Sequence, residues 1–90
     1  MESQFEIHIF GRVQGVGFRA AARKQARSLR LKGWVENLAD GSVRVVIRGG
    51  SVKCNSFIKW CREGSAYSWV ERIDIRDMEP EILGPFSIIY

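Results

Sequence analysis

The sequence has no long hydrophobic run and no recognisable targeting segment. None of its apolar stretches approaches the ~18 residues that a membrane-spanning helix requires. Its first residues also lack the basic segment followed by an apolar segment that is typical of a secretory signal. We therefore expect a soluble, cytoplasmic protein without a membrane partner.

Cysteine is scarce, and its spacing excludes two of its usual roles. Cys54 and Cys61 are the only cysteines, and both fall in one predicted helix. Their spacing corresponds to two helical turns, or about 10 Å along the helix axis. A disulfide requires Cα atoms within ~7 Å, and the spacing also differs from that of a metal-binding C-x-x-C pair. We expect reduced, partly buried thiols, and we expect neither a metal nor another cofactor.

Linkers, repeats and low-complexity segments are also lacking, so residues 1–90 are expected to form a single domain. Hydrophobic residues make up 46% of the chain, which is enough for a compact core. The net charge of +4 favours an anionic partner: nucleic acid, an acidic lipid or a phosphorylated small molecule. The basic residues are scattered along the chain, so a solvated basic surface accounts for most of this charge.

The periodicity of the apolar residues predicts five strands and two helices. In chain order these are a strand over residues 5–10, a helix over 18–30, strands over 34–37 and 42–48, a helix over 51–64, a strand over 70–75 and a short strand over 86–90. The pair Asp40-Gly41 predicts a tight hairpin turn between the second and third strands. The uneven step from Val70 to Ile73 predicts a bulge in the fourth strand.

Several residues mark where these elements begin and end. Gly33 is predicted to end the first helix, and Ser51 is predicted to cap the second at its N-terminus. Pro80 and Gly84 are predicted to bracket a loop before the last strand. The order βαββαβ predicts an α+β, ferredoxin-like sandwich, with two helices on one face of an antiparallel sheet and a short extra C-terminal strand.

Residues 11–19 are too rich in glycine for a regular element and lie between a strand and a helix. Gly15 and Gly17 would let the chain curl so that several backbone N–H groups converge on one anion. Arg19 would stand at the helix entrance, where its planar guanidinium can bind two phosphate oxygens. The alternative is a glycine turn that merely reverses the chain and leaves Arg19 exposed.

The same segment also matches a dinucleotide-binding fingerprint, with Asp40 at the matching distance downstream. We reject that match because the next strand returns through a hairpin and because the chain is too short for a doubly wound sheet. No Gly-Lys-Ser/Thr sequence follows, which excludes a Walker motif.

Asn37 is the second candidate for the site, near the end of the second strand. Its amide could hold one water molecule, although an asparagine at this place is more often a turn residue bonded to its own backbone. The only histidine, His8, lies on the first strand between Ile7 and Ile9, and we interpret it as structural or solvent-facing.

Two segments resemble the signatures of the acylphosphatase family. Residues 11–19 (GRVQGVGFR) are similar to the first signature, and residues 33–43 (GWVENLADGSV) are similar to the second, at the expected separation. The similarity continues over nearly the whole chain, at Val45, Gly49, Phe57, residues 70–73 and residues 86–88. It implies a small enzyme that hydrolyses an acyl phosphate to a carboxylate and inorganic phosphate.

The resemblance also implies a role for each site residue. Arg19 would bind phosphate, and Asn37 would position the attacking water. Backbone donors would come from five consecutive residues, Gln14, Gly15, Val16, Gly17 and Phe18. We expect this loop to bind phosphate or sulfate, and we expect a monomer that requires no metal.

The leaving group explains why so few side chains would be needed. A carboxylate has a pKa near ~4–5, so it departs without a general acid. The substrate's own phosphate oxygen would accept the proton of the water, as the resemblance implies. Positioning and electrostatic stabilisation would then supply most of the catalysis.

Two positions depart from the family pattern. The turn after the second helix, residues 64–67, lacks the usual proline, and we expect this to change its stiffness. Ala20 replaces an aromatic residue often found after the arginine, and we expect it to reshape the rim of the pocket and to affect substrate range or rate.

Two other functions are compatible with the fold. A ferredoxin-like RNA-binding module would stack bases on paired aromatics, but residues 32–37 lack that aromatic spacing and contain Glu36, so no nucleic-acid partner is expected. An inactive, protein-binding relative could use Trp34, Trp60 and Trp69 as contacts. The presence of both proposed site side chains, those of Arg19 and Asn37, argues against an inactive relative.

Overall fold

The computed structural model describes residues 2–79 and 81–90, and within them the chain forms five strands and two helices. They are β1 (Glu2–Arg12), α1 (Phe18–Ser28), β2 (Lys32–Asn37), β3 (Val43–Gly50), α2 (Ser51–Glu63), β4 (Trp69–Met78) and β5 (Ser87–Ile89). All seven predicted elements are present in the predicted order. The predicted loop boundary at Pro80 lies outside the described residues.

The strands form one sheet in the order β4-β1-β3-β2-β5. The first four strands pair antiparallel, as predicted, but β5 pairs parallel with β2, so the sheet is mixed. The reason is that β4 and β5 lie at opposite edges, and the chain crosses one end of the sheet between them before it turns back. As a consequence β1, β2 and β5 run in the same direction, and their C-terminal ends meet at one end of the sheet.

Both helices pack their apolar stripes against the same cluster of sheet residues, which confirms the predicted two-layer fold. Along β1, Ile7 and Ile9 are fully buried while Glu6 and His8 are partly exposed, as expected for alternation across a half-buried strand. The helical part of the cluster consists of Phe18, Ala22 and Ala26 from α1 and Cys54, Phe57 and Cys61 from α2. Burial of each large apolar side chain stabilises the fold by roughly 1.5–3 kcal/mol.

The cysteines are free thiols, as predicted, but they are fully rather than partly buried. They lie on the face of α2 that packs on the sheet. Burial raises the pKa of both thiols, because the surrounding apolar side chains disfavour the thiolate. We therefore interpret Cys54 and Cys61 as packing residues of the core.

The predicted bulge in β4 is confirmed. The register between β4 and β1 shifts between Phe10 and Gly11, which leaves Glu71 without a partner in the ladder. Gly11 has a φ of 134°, and a Cβ atom there would lie 2.1 Å from the carbonyl oxygen of Trp69. Only glycine therefore fits at the point where β1 leaves the bulge and turns into the glycine-rich loop.

Two predicted helix boundaries are wrong. Ser51 is the first residue of α2 rather than its N-cap; Gly50 occupies the cap position, and the Ser51 hydroxyl lies 3.0 Å from that of Ser3. At the end of α1 the left-handed residue is Arg30, with a φ of 58°, rather than Gly33.

The end of α1 has the hydrogen bonds of a Schellman motif. The N–H of Arg30 donates to Arg27 (3.0 Å) and that of Leu31 donates to Ala26 (2.9 Å), so two terminal carbonyls of the helix are satisfied. Gly33 has a different reason to be glycine, since a Cβ atom there would lie 1.8 Å from the carbonyl oxygen of Val46 on the neighbouring strand. Within residues 2–79 and 81–90, neither helix is long and apolar enough to cross a membrane.

Candidate active site

The candidate site lies where the C-terminal ends of β1, β2 and β5 meet the N-terminus of α1. A cavity of about 150 Å³ opens there, which is room for more than a single water molecule. It is lined by Val13, Gly15, Gly17, Phe18, Arg19, Ala20, Asn37, Ile88 and Tyr90. The sheet therefore brings together the predicted loop, the predicted arginine and the predicted asparagine.

The loop between β1 and α1 has the conformation expected of an anion cradle. Gly15 and Gly17 have φ values of 72° and 79°, in the left-handed region, and Gly17 is the N-cap of α1. No side chain caps this helix, and its first turn carries no acidic residue. In the part of the chain that the structure describes, the backbone N–H groups of residues 14–20 have no acceptor. The positive end of the α1 dipole thus faces the cavity with its donors free.

Arg19 is the second residue of α1 and lines the same cavity. Its guanidinium lies 5.1 Å from the centroid of the Tyr90 ring, in a cation–π contact. No carboxylate among the described residues lies within ion-pair distance of it. Its charge is therefore available to an anion in the cavity.

Asn37 is the last residue of β2, where it is paired with Val43. Its side-chain oxygen Oδ1 is buried and has no hydrogen-bond partner among the described residues. A buried acceptor left unpaired costs about 1–3 kcal/mol, so such atoms in folded proteins usually meet a water molecule or a ligand. The amide therefore has an unused hydrogen-bonding site at the cavity.

Gln14 was predicted to contribute its backbone N–H, and its side chain has a contact that the sequence did not reveal. Its Nε2 atom donates to the carbonyl oxygens of Leu38 (2.7 Å) and Ser42 (2.8 Å). These residues begin and end the five-residue turn between β2 and β3. The predicted hairpin is thereby confirmed, with a turn one residue longer than the predicted residues 38–41. Nothing in the residue spacing pairs a loop glutamine with carbonyls more than twenty positions away.

The other two loop residues in the prediction, Val16 and Phe18, are anchored by their side chains. Phe18 is fully buried, and its ring centroid lies 5.3 Å from that of Trp60. Val16 packs against the same core. The backbone of the loop is thus fixed to the core at two points, while its N–H groups remain free.

Behind the turn, a polar network connects His8, Ser42 and Asp40. Nε2 of His8 lies 2.6 Å from the Ser42 hydroxyl, which donates to Oδ1 of Asp40 at 2.5 Å. The Ser42 backbone N–H donates to the same oxygen at 2.9 Å. These two bonds from Ser42 hold the pKa of the Asp40 carboxyl below its ordinary value. His8 does not line the cavity, in agreement with its predicted structural role, and Asp40 is a turn residue.

The departures from the family pattern occupy different places. Ala20 is exposed at the cavity, where a larger side chain would narrow the opening. The proline-free turn does not line the cavity. The turn is closed by the Ser68 hydroxyl, which accepts a hydrogen bond from the N–H of Ser65 (2.7 Å) and donates one to the carbonyl of Ser65 (2.9 Å).

The three tryptophans do not form one surface. Trp60 packs between Phe18 and Phe57, Trp34 lies beneath the guanidinium of Arg44, and Trp69 is exposed at the start of β4. Among the described residues, no three histidine, cysteine, aspartate or glutamate side chains are grouped so that they could hold a metal ion.

Comparisons with known proteins agree with this geometry. The family profile described as Acylphosphatase matches residues 5–88. An acylphosphatase of Roseiflexus sp. (strain RS-1) is 45% identical over 94 aligned positions, which cover 100% of both chains. One from Thermococcus kodakarensis is 41% identical over 83 residues, or 92% of this chain and 91% of the relative. The crystal structure of acylphosphatase from Bacillus subtilis superimposes with a TM-score of 0.94 at 37% identity, again over 100% of both chains. The chain therefore belongs to the acylphosphatase family.

Proposed function

We propose that this chain hydrolyses acyl phosphates, with the loop of residues 14–18 and Arg19 binding the phosphate group and Asn37 holding the attacking water. One observation supports this assignment above the others: three kinds of unused hydrogen-bonding group line a single cavity. Judged over residues 2–79 and 81–90, they are the backbone N–H groups that have no acceptor, the guanidinium that has no ion pair, and the buried oxygen of Asn37 that has no hydrogen-bond partner.

Phosphate binding follows from the charge and shape of the loop. The N–H groups at the start of α1 and the guanidinium of Arg19 present donors to one small volume. Hydrogen bonds from such groups to a phosphate oxygen are charge-assisted and are about twice as strong as neutral ones. A phosphate or sulfate ion alone is expected to bind here, in competition with substrate.

Asn37 would complete the site, because it lines the same cavity from a different element, β2. Its Oδ1 atom can accept a hydrogen bond from a water molecule, which would fix that water beside the phosphorus atom. Fixing a nucleophile in this way supplies rate by removing the translational and rotational freedom that it has in solution. The water then attacks phosphorus, the bond from phosphorus to the acyl oxygen breaks, and the carboxylate departs with the bonding electron pair.

Proton transfer requires no further side chain in this mechanism. The departing carboxylate has a conjugate-acid pKa near ~4–5 and leaves unprotonated at neutral pH. A non-bridging phosphate oxygen of the substrate accepts the proton of the water. The free N–H groups and Arg19 stabilise the charge on the phosphoryl oxygens in the transition state.

The proposal extends to the state of the protein. We propose that residues 1–90 act as a single domain in the cytoplasm. We also propose that the protein is a monomer, because one copy supplies every group named above. Size-exclusion chromatography with light scattering at the assay concentration tests the monomer directly. A dimer at that concentration would refute this part of the proposal.

The test is hydrolysis of benzoyl phosphate in the presence of EDTA by the native chain, Arg19→Ala and Asn37→Ala. Arg23→Ala removes the same charge one turn further along α1, and Asn55→Ala removes an exposed amide on α2, so these two are the matched controls. We expect turnover to survive chelation, to collapse in the first two variants and to persist in the controls.

The two site variants should also differ from each other. Arg19→Ala should lose phosphate affinity and turnover together, and Arg19→Lys should rescue little because an ammonium group lacks the planar fork. Asn37→Ala should lower kcat far more than it weakens inhibition by inorganic phosphate. Absence of turnover by the folded native chain would refute the proposed activity, and a normal kcat in folded Asn37→Ala would refute the role of Asn37.

A further inference from the structure

We propose that Gln14 is a positioning residue for the reaction, because its side chain fixes the phosphate-binding loop against the turn that begins directly after Asn37. The inference rests on the proposed function, since it concerns how the phosphate-binding groups and the water-holding residue are kept in register. Gln14 itself does not line the cavity.

The contact uses one nitrogen atom to bond two carbonyls. Nε2 of Gln14 donates to Leu38 at 2.7 Å and to Ser42 at 2.8 Å, both at the short end of the usual range for N–H···O bonds. Both N–H bonds of the amide are used, and both acceptors are backbone atoms. Glutamine is the side chain that fits this contact, because it is neutral, long enough and carries two donors on one nitrogen. Asparagine is one methylene shorter, and a carboxylate would place an acceptor opposite the two carbonyls.

The turn that accepts these bonds is held from its other side. Ser42 is 2% exposed, and its hydroxyl is bonded to His8 and Asp40. Its carbonyl also accepts the N–H of Leu38 at 2.9 Å, which closes the turn. The turn is therefore the fixed partner, and the side chain of Gln14 sets where the loop lies relative to it.

The loop has few other constraints on that side. In the part of the chain that the structure describes, the two bonds from Gln14 are the only hydrogen bonds between residues 14–17 and residues 38–42. Gly15 and Gly17 follow at once and carry the bend of the cradle. Val16 and Phe18 would still anchor the loop to the core, so loss of the Gln14 bonds would leave the shape of the cradle intact but remove the direct link between the loop and the turn after Asn37. A misplacement of about 1 Å in such a site can lower the rate ~100-fold.

The first test compares native protein with Gln14→Met, which keeps the length but has no donor, and with the control Gln25→Met on α1. Benzoyl phosphate turnover gives kcat, and inhibition by inorganic phosphate gives the affinity of the cradle. We expect Gln14→Met to lower kcat about 10- to 100-fold while the phosphate inhibition constant changes less than about 3-fold. The control should match native protein in both.

The second test uses Gln14→Glu, which keeps both length and polarity and so serves if Gln14→Met does not fold. An ionised carboxylate faces the two carbonyls without a donor, whereas a protonated carboxyl supplies one O–H donor. The ratio of its kcat to that of native protein should therefore rise as the pH falls through the carboxyl pKa, ordinarily about 4.3. The Tm of Gln14→Glu, measured over the same pH range, distinguishes a recovery of kcat in stably folded protein from a recovery of the fold.

Several outcomes would overturn the inference. One is a kcat within about 2-fold of native in both folded variants. Another is a loss of kcat that is matched by an equal loss of phosphate affinity and by a lower Tm, which would indicate a structural role. A ratio for Gln14→Glu that stays flat with pH would do the same. Absence of turnover by the native chain is a separate result, because it refutes the proposed function whatever the variants do.

Discussion

The guanidinium of Arg19 lies 5.1 Å from the centroid of the Tyr90 ring, so the second residue of α1 is paired with the residue that follows β5. This contact exists because β5 runs parallel to β2 and carries the chain to the same end of the sheet as the glycine-rich loop. The ring restricts the guanidinium on one side and leaves its N–H groups free for an anion.

We expect Tyr90→Leu to weaken inhibition by inorganic phosphate about 2- to 5-fold, because an exposed cation–π contact is worth about 0.5–1 kcal/mol. Tyr90→Phe should keep the affinity, since the ring face remains. The inhibition constants of the two variants, measured side by side, check this prediction. Equal weakening in both would show that the hydroxyl, and not the ring, is responsible.

Asn37→Ala should be at least as stable as the native protein although its kcat falls. The variant removes a buried acceptor that is unpaired within the described residues and whose desolvation costs about 1–3 kcal/mol. Urea titrations of native protein, Asn37→Ala and the exposed control Asn55→Ala measure the free energy of unfolding. A loss of more than about 1 kcal/mol in Asn37→Ala alone would mean that the amide serves the fold as well as the site.

Arg30→Gly should stabilise the protein by about 0.5–1 kcal/mol. Arg30 adopts a φ of 58° at the end of α1, and this left-handed conformation costs a residue with a side chain roughly 1–2 kcal/mol. Glycine avoids that cost, but it loses more conformational entropy on folding, which offsets part of the stabilisation. Arg30→Ala removes the same charge but keeps the strain, so it is the control. Thermal unfolding should show a higher Tm for glycine than for alanine, with unchanged turnover in both because position 30 lies at the other end of α1 from the cavity.

The hydrogen bonds to Asp40 should make the turn after β2 sensitive to acid. They lower the pKa of Asp40 below its ordinary value of 3.8, so the ionised form favours the folded state. This stabilisation is complete above the ordinary pKa and is lost as the pH falls through the lowered one. The difference in unfolding free energy between native protein and Asp40→Asn should therefore be constant near pH 6 and shrink below about pH 3.8.

The same measurement on Asp77→Asn provides the comparison. Asp77 lies on β4, and its carboxyl has no hydrogen bond or ion pair with the described residues. The change with pH in the Asp40→Asn difference in unfolding free energy is judged against the change in this variant over the same range. The prediction would be contradicted if the difference in unfolding free energy between native protein and Asp40→Asn stayed unchanged at low pH.

Local patterns predicted most of the fold because the residues that carry them act on their near neighbours. The apolar alternation around Ile7 and the helical stripe from Phe18 specify elements whatever the rest of the chain does. The bulge was also predictable, since an extra residue shifts the alternation within β4 itself. The direction of β5 was not, because it depends on which end of the sheet the preceding loop crosses.

The end of α1 was predicted wrongly because Gly33, like the direction of β5, depends on contacts that are distant in sequence. Gly33 was predicted to terminate α1, but it is required by the close approach of Val46 on a strand that follows in sequence. The left-handed position fell to Arg30 instead. Whether a glycine serves its own turn or a distant neighbour cannot be read from its local sequence.

The candidate site also contains residues that the sequence predicted and residues that it did not. The two motifs predicted the loop, Arg19 and Asn37, and the structure brings them to one cavity, although their roles remain predictions. The contributions of Ile88 and Tyr90 could not be predicted because they depend on the parallel pairing of β5. The side chain of Gln14 was missed because its acceptors are backbone atoms, which leave no trace in residue identity.

The placement of β5 has a consequence for how the protein would lose activity on heating. β5 is a three-residue strand at the edge of the sheet, and among the described strands it pairs with β2 alone. Even so, Ile88 of β5 and Tyr90, the residue after it, line the cavity. Short edge elements open locally at a much smaller free energy than the whole fold does. The cavity therefore depends on one of the least protected parts of the chain. Turnover should decline at temperatures where the core of α1, α2 and the central strands is still intact.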